Sequence, residues 1–133
     1  MKKGLKVGDA TTLKVKVTED MFAQFGDELV HPVYSTASMV YHMEWVSRDL
    51  VLPYLEEDEE SAGAAVTVEH IAPSGLGNTI TVKAVCIHVS DHKVITDVTA
   101  ENESDIIGKG KVKQAILPKG TIKRKIEEQL LKK

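Results

Sequence analysis

Ser35-Thr36-Ala37-Ser38-Met39-Val40-Tyr41-His42-Met43-Glu44-Trp45-Val46-Ser47-Arg48-Asp49-Leu50-Val51-Leu52-Pro53 is the stretch whose reading decides the fold. Met39, Met43, Val46 and Leu50 recur at spacings of four, three and four, which lays one continuous apolar stripe along a helix. Ser35 or Thr36 is placed to cap the N-terminus and Pro53 to stop the far end, so the spacing predicts a helix over residues 37–52. It is the most apolar segment of its length in the chain, and burial on most sides is expected.

Around this helix the pattern changes period. Residues 11–17, Thr-Thr-Leu-Lys-Val-Lys-Val, alternate apolar and polar and predict a half-buried strand. Residues 19–35 carry no clean period; with Gly26, Pro32 and several acids they read as a loop or a short helical excursion. Glu56-Glu57-Asp58-Glu59-Glu60 is a run of like charge, expected to be a solvated loop tip. Beyond Gly63, residues 64–71, 79–89, 93–101 and 106–117 are rich in Val, Ile and Thr and predict four strands, with Gly, Pro, Asn, Asp and Ser between them. The gaps between the last strands are of hairpin length, so those neighbours run antiparallel. Residues 121–133 space Ile122, Ile126 and Leu130 by four, the pattern of a terminal amphipathic helix.

The expected architecture is α+β: an antiparallel sheet wrapped on one long helix, in a single domain spanning residues 1–133. The chain supplies no second long helix for the other face of the sheet. Pairing with a second copy is the simplest way to cover what remains.

Composition narrows the function. Lys and Arg number 17 against 20 Asp and Glu, a net charge of −3, and only 5% of residues are aromatic. Neither phosphate neutralisation nor base stacking finds support there, so no nucleic-acid partner is expected. Apolar residues at 42% and charged residues at 28% fit a soluble globular chain. No stretch is long and apolar enough to span a bilayer, and Met1–Asp9 lacks the apolar run of a signal peptide. One cysteine, Cys86, excludes an internal disulfide. A cytoplasmic setting with no membrane partner is the expectation.

Two residues stand out chemically. Glu44 lies inside the apolar helix, where an unpaired carboxylate is costly; it either pairs with Arg48 at i+4 or serves a function. Thr36, Val40 and Glu44 run along one side of that helix at spacings of four. His70 shares a strand face with Val66 and Val68 and points inward, as a satisfied core histidine or as a reactive one. His31, His42, His88 and His92 form no metal-ligand spacing, so no metal is expected. Pro73-Ser74-Gly75-Leu76-Gly77-Asn78 lacks the Lys-Ser/Thr of a phosphate loop and reads as a tight connection.

Val33–Trp45, followed by Leu52-Pro53-Tyr54-Leu55, resembles the central-helix region of the fluoroacetyl-CoA thioesterase family and its hotdog-fold relatives. Gly63-Ala64-Ala65-Val66-Thr67-Val68-Glu69-His70, the Ser74–Asn78 turn and Ile107-Gly108-Lys109-Gly110 continue the resemblance in order, over most of the chain. It implies a hotdog fold, a homodimer, and hydrolysis of a short or medium acyl-CoA thioester near the subunit interface. It also implies a Thr, a Glu and a His as catalytic residues; position by position these are Thr36, Glu44 and His70. Gly63 matches a glycine beside that site and is a candidate substrate-binding donor. CoA enters as part of the substrate, with no separate cofactor.

The chain departs from the pattern at two places. Lid aromatics are replaced by Asp27 and Val30, and an arginine late in the last strand by Gln114. Both argue against selection for the fluorinated acyl group. Phe22 and Phe25 stand close enough to Asp27 to take the place of the lid. The hydratase motif of a hotdog enoyl-CoA enzyme is absent. A non-catalytic hotdog protein that binds acyl-CoA or another small ligand is the alternative. Eight helical residues, about 12 Å of rise, separate Thr36 from Glu44. Either Thr36 folds back from a preceding loop, or the site draws on two subunits.

Overall fold

The computed structural model describes residues 1–132; the last residue of the predicted terminal helix, Lys133, lies outside them. Alternation over residues 11–17 produces β1 (Ala10–Lys16), whose burial switches at every residue. The segment without a period departs from expectation. A single 3-10 turn at Glu19–Met21 leads into an antiparallel hairpin, β2 (Phe22–Phe25) and β3 (Glu28–Tyr34), turning at Gly26 and Asp27. Gly26 has φ +61°, which suits a glycine at the tip of a two-residue turn. The period is missing because the ribbon lies on the surface, with two register shifts and most side chains open to water. Pro32 is tolerated there because a two-stranded ribbon leaves one side of each strand unpaired.

α1 (Thr36–Val51) begins one residue before the predicted start. Ser35 is the cap: its backbone is extended, and its Oγ accepts from the Ser38 N–H at 3.0 Å. A 3-10 turn, Leu52–Tyr54, follows, and Pro53 within it prevents the α-helix from continuing. Met39, Met43, Val46 and Leu50 are buried, but Tyr41 is 60% and Trp45 43% exposed, so the helix is buried on one face only.

β4 (Glu59–His70), β5 (Thr79–Val89), β6 (Lys93–Glu101) and β7 (Ile106–Pro118) join β1 in one antiparallel sheet of order β1-β5-β6-β7-β4. Ile80, Val82 and Ala84 of β5, Val98 and Ala100 of β6 and Val112 of β7 pack on the α1 stripe as the core. Ser47 of α1 and Thr96 of β6 meet in it, Oγ to Oγ1 at 2.8 Å, so two buried hydroxyls satisfy each other. Gly108 lets the helix come close, since a Cβ there would stand 2.8 Å from Met39 Cε. An antiparallel sheet wrapped on one long helix is the arrangement the resemblance implied.

The acidic run is only partly the solvated tip expected. Glu56, Glu57 and Asp58 are exposed, but Glu59 and Glu60 already belong to β4. Glu59 accepts from the Met1 ammonium at 2.9 Å, and Glu60 accepts from the N–H groups of Gly120 and Ile122 at 2.7 and 3.2 Å. Glu60 thereby anchors the start of α2 (Thr121–Leu131), of which only Thr121 is buried. No helix of the described residues is long and apolar enough to cross a membrane.

Candidate active site

Two of the three residues meet directly. Thr36 opens α1 immediately after its cap, and His70 closes β4 on the inward face it shares with Val66 and Val68. Thr36 Oγ1 lies 2.8 Å from His70 Nδ1. The hydroxyl donates to an imidazole protonated on Nε2, or accepts from one protonated on Nδ1. Tyr34, fully buried, sets its ring edgewise against His70, with centroids 6.5 Å apart at 72°. His70 Nε2 is enclosed and has no protein partner, so this histidine is not the satisfied core residue that its strand position allowed.

A second histidine sits behind this pair and is already spoken for. Tyr34 Oη lies 2.7 Å from His42 Nδ1. Burial pushes the Tyr34 phenol well above its ordinary range and the His42 imidazole below its own. Both are neutral near pH 7, so the phenol donates and His42 carries its proton on Nε2.

Glu44 stands two turns along α1, half-buried, over Gly63 of β4. A Cβ on Gly63 would stand 2.9 Å from the Glu44 carboxylate carbon and overlap its Oε1. The visible contribution of Gly63 is therefore space for a carboxylate. Among the described residues Glu44 forms no ion pair with Arg48, which removes the structural reading of that carboxylate. A cleft of about 440 Å³ opens here between α1 and the edge of the sheet, lined by Tyr41, Glu44, Trp45, Arg48, Gly63 and Gln114 among others.

Gln114 is the residue whose weight the sequence reading missed. It is 1% exposed and aligned in register with Gly63, and its Nε2 has no partner. The signal was present: Gln114 alternates with Val112 and Ile116, which puts a carboxamide on an apolar strand face. A larger groove, about 660 Å³, runs over the other face of the sheet past Glu69, Asp97 and Lys109, away from α1.

Thr36 and Glu44 do not meet within one chain. Thr36 is itself helical, so it cannot fold back from a loop, and about 12 Å of helix rise divides it from Glu44. Along β4, Gly63 and His70 are seven residues apart, roughly 20 Å. The edge strand β4 thus meets α1 at two separate places, His70 against Thr36 at its end and Gly63 under the open Glu44 carboxylate farther back.

Comparison with known proteins gives a consistent picture. The family described as fluoroacetyl-CoA-specific thioesterase matches residues 17–120. The fluoroacetyl-CoA thioesterase of Streptantibioticus cattleyicolor is 32% identical over 123 residues, 88% of each chain. A Thermus thermophilus member of the thioesterase superfamily superposes with a TM-score of 0.91 at 34% identity, over 98% of this chain and 99% of its own. The crystal structure of the fluoroacetyl-CoA thioesterase FlK superposes with a TM-score of 0.87 at 30% identity, over 95% and 98% of the two chains.

Proposed function

We propose that the chain, which belongs to the fluoroacetyl-CoA-specific thioesterase family, hydrolyses a short or medium acyl-CoA thioester at a site completed by a second copy of itself. One observation carries the two-subunit reading: the Thr36–His70 pair and the Glu44–Gly63 contact lie at separate parts of the same edge strand. An unpaired edge invites antiparallel addition of another strand. If β4 pairs with its two-fold copy about Thr67, the bulge at Ala64 brings Gly63 opposite the partner subunit's His70, with both on the face toward α1. Glu44 of each protomer then meets a Thr-His pair across the interface, and two equivalent sites form.

The chemistry follows from these groups. Glu44 activates the attack on the thioester carbon, by taking a proton from water or by attacking directly to form an anhydride that water then opens. N–H groups of the first turn of α1 face the developing oxyanion. As the carbon–sulfur bond breaks, His70 gives a proton to the CoA sulfur and regains one from the water that is consumed, while Thr36 holds its ring in place. Water is consumed, and the free acid and CoA leave. CoA is part of the substrate, and no cofactor or metal is assigned. A reducing cytoplasmic setting completes the proposal.

The test is thiol release from a panel of acyl-CoA esters by the wild type and by Glu44→Gln, which keeps shape and removes the base. Turnover by the wild type, reduced at least about a hundredfold in Glu44→Gln with an unchanged circular dichroism spectrum, is expected. Equal turnover by the two proteins overturns the role of Glu44. Binding of acyl-CoA without thiol release from any ester supports a non-catalytic binding protein instead.

A further inference from the structure

Buried amide donors without partners are rare, because the folded chain loses stability that an apolar side chain of the same size would restore. Gln114 is such a case: 1% exposed, inward-facing on β7, with Nε2 enclosed and unpartnered. Among the described residues no hydrogen bond joins it to Glu44, so it does not hold that carboxylate in place. Both side chains nevertheless line one cleft, and the β4–β7 register aligns Gln114 with the glycine over which Glu44 lies. An acyl carbon within reach of Glu44 therefore carries its substituents toward Gln114.

The cleft wall indicates what those substituents are. Glu44, Arg48, Ser61 and Gln114 are polar, Tyr41 and Trp45 are aromatic, and no aliphatic side chain lines the cleft. A long hydrocarbon finds no matching surface. A second anion beside the Glu44 carboxylate is disfavoured by charge. What fits is a short acyl group with a neutral oxygen that accepts from the carboxamide.

We propose that Gln114 is a specificity-determining residue that hydrogen-bonds a neutral acceptor on the second carbon of a short acyl group, so that 2-hydroxyacyl-CoA esters are preferred over their alkyl isosteres. This rests on the hydrolase reading at Glu44 and adds the substrate class. The hydroxyl pairs with the waiting donor, whereas an isosteric methyl group leaves it buried and unpaired.

The experiment compares kcat/KM for glycolyl-CoA and propionyl-CoA, in which a hydroxyl replaces a methyl, in the wild type and in Gln114→Leu. The wild type is expected to prefer glycolyl-CoA by about tenfold or more. In Gln114→Leu that preference falls to roughly unity while Tm stays level or rises, since the unpaired donor is gone. Equal rates in the wild type, or a ratio unchanged in the variant, overturns the proposal. Gln114→Met repeats the comparison if the leucine variant does not fold. Should the wild type release thiol from neither ester nor from any other of the panel, the hydrolase reading fails. The ratio of calorimetric Kd values for the same two ligands then decides the role of Gln114 alone, with the same expected values.

Discussion

Glu44 owes its position to an absence. The carboxylate fills the volume that any side chain on Gly63 would occupy, and among the described residues neither Arg48 nor Gln114 holds it by an ion pair or a hydrogen bond. Gly63→Ala is therefore expected to displace Glu44 rather than to disturb β4, which is an edge strand already exposed at that point. Turnover should fall by about tenfold or more while Tm changes little, because about 1 Å of misplacement costs on that scale or beyond. An alanine variant with wild-type kcat would show that the contact does not set the carboxylate position. Thr36→Ser and Thr36→Val form a matched pair at the other end of the site. Serine keeps the hydroxyl 2.8 Å from His70 Nδ1 and should retain most of kcat, whereas valine removes it and should not.

At the scale of elements, the surface hairpin and the terminal helix make separate claims. Asp27 lies in the hairpin turn and Val30 on β3 is half-exposed, while Phe22 packs on the core and Phe25 is 73% exposed. No aromatic wall is closed by these residues within one chain. Comparison of kcat/KM for fluoroacetyl-CoA and acetyl-CoA is expected to give no large preference; a ratio near a thousand, about 4 kcal/mol of discrimination, would contradict this. α2 depends on Glu60. Hydrogen bonds from the Gly120 and Ile122 N–H groups hold that carboxyl below its ordinary 4.5. Its folded pKa lies below the unfolded one, so the stabilisation is present above about pH 4.5 and is lost as pH falls through the depressed value. Protection of the Gly120 and Ile122 amides from exchange, relative to their intrinsic rates at each pH, should fall on acidification below pH 4.5, and at neutral pH in Glu60→Ala. Unchanged protection in both would mean that α2 is held by something else.

For the whole molecule, the decisive quantity is how many copies make one site. Light scattering at micromolar concentration is expected to give twice the mass of the chain, and a monomer would remove the basis for a shared site. A complementation experiment is more specific. His70→Ala and Glu44→Gln are each expected to be inactive. Mixed and allowed to exchange, half of the dimers combine one of each and hold one intact site of two, so about a quarter of wild-type turnover returns. No recovery after verified exchange would show that each protomer works alone.

The helix was legible because a stripe at Met39, Met43, Val46 and Leu50, a serine cap and a proline stop all act within a few residues. Strands β5, β6 and β7 were legible for the same reason, since alternation and breakers are local. The hairpin over residues 22–34 was not, because a surface ribbon has no buried face to impose a period, although Gly26-Asp27 marked its turn. The fates of Glu59 and Glu60 were likewise invisible, since their partners Met1, Gly120 and Ile122 lie about sixty residues away in the chain. At the candidate site, Thr36, Glu44 and His70 could be picked out from the sequence. Their grouping belonged to the tertiary structure, which pairs Thr36 with His70 across 34 residues and sets Glu44 beside Gly63. Pattern along a chain reports which face a residue occupies. Which residue stands opposite depends on how strands pair, and that is settled only when the sheet closes over the helix.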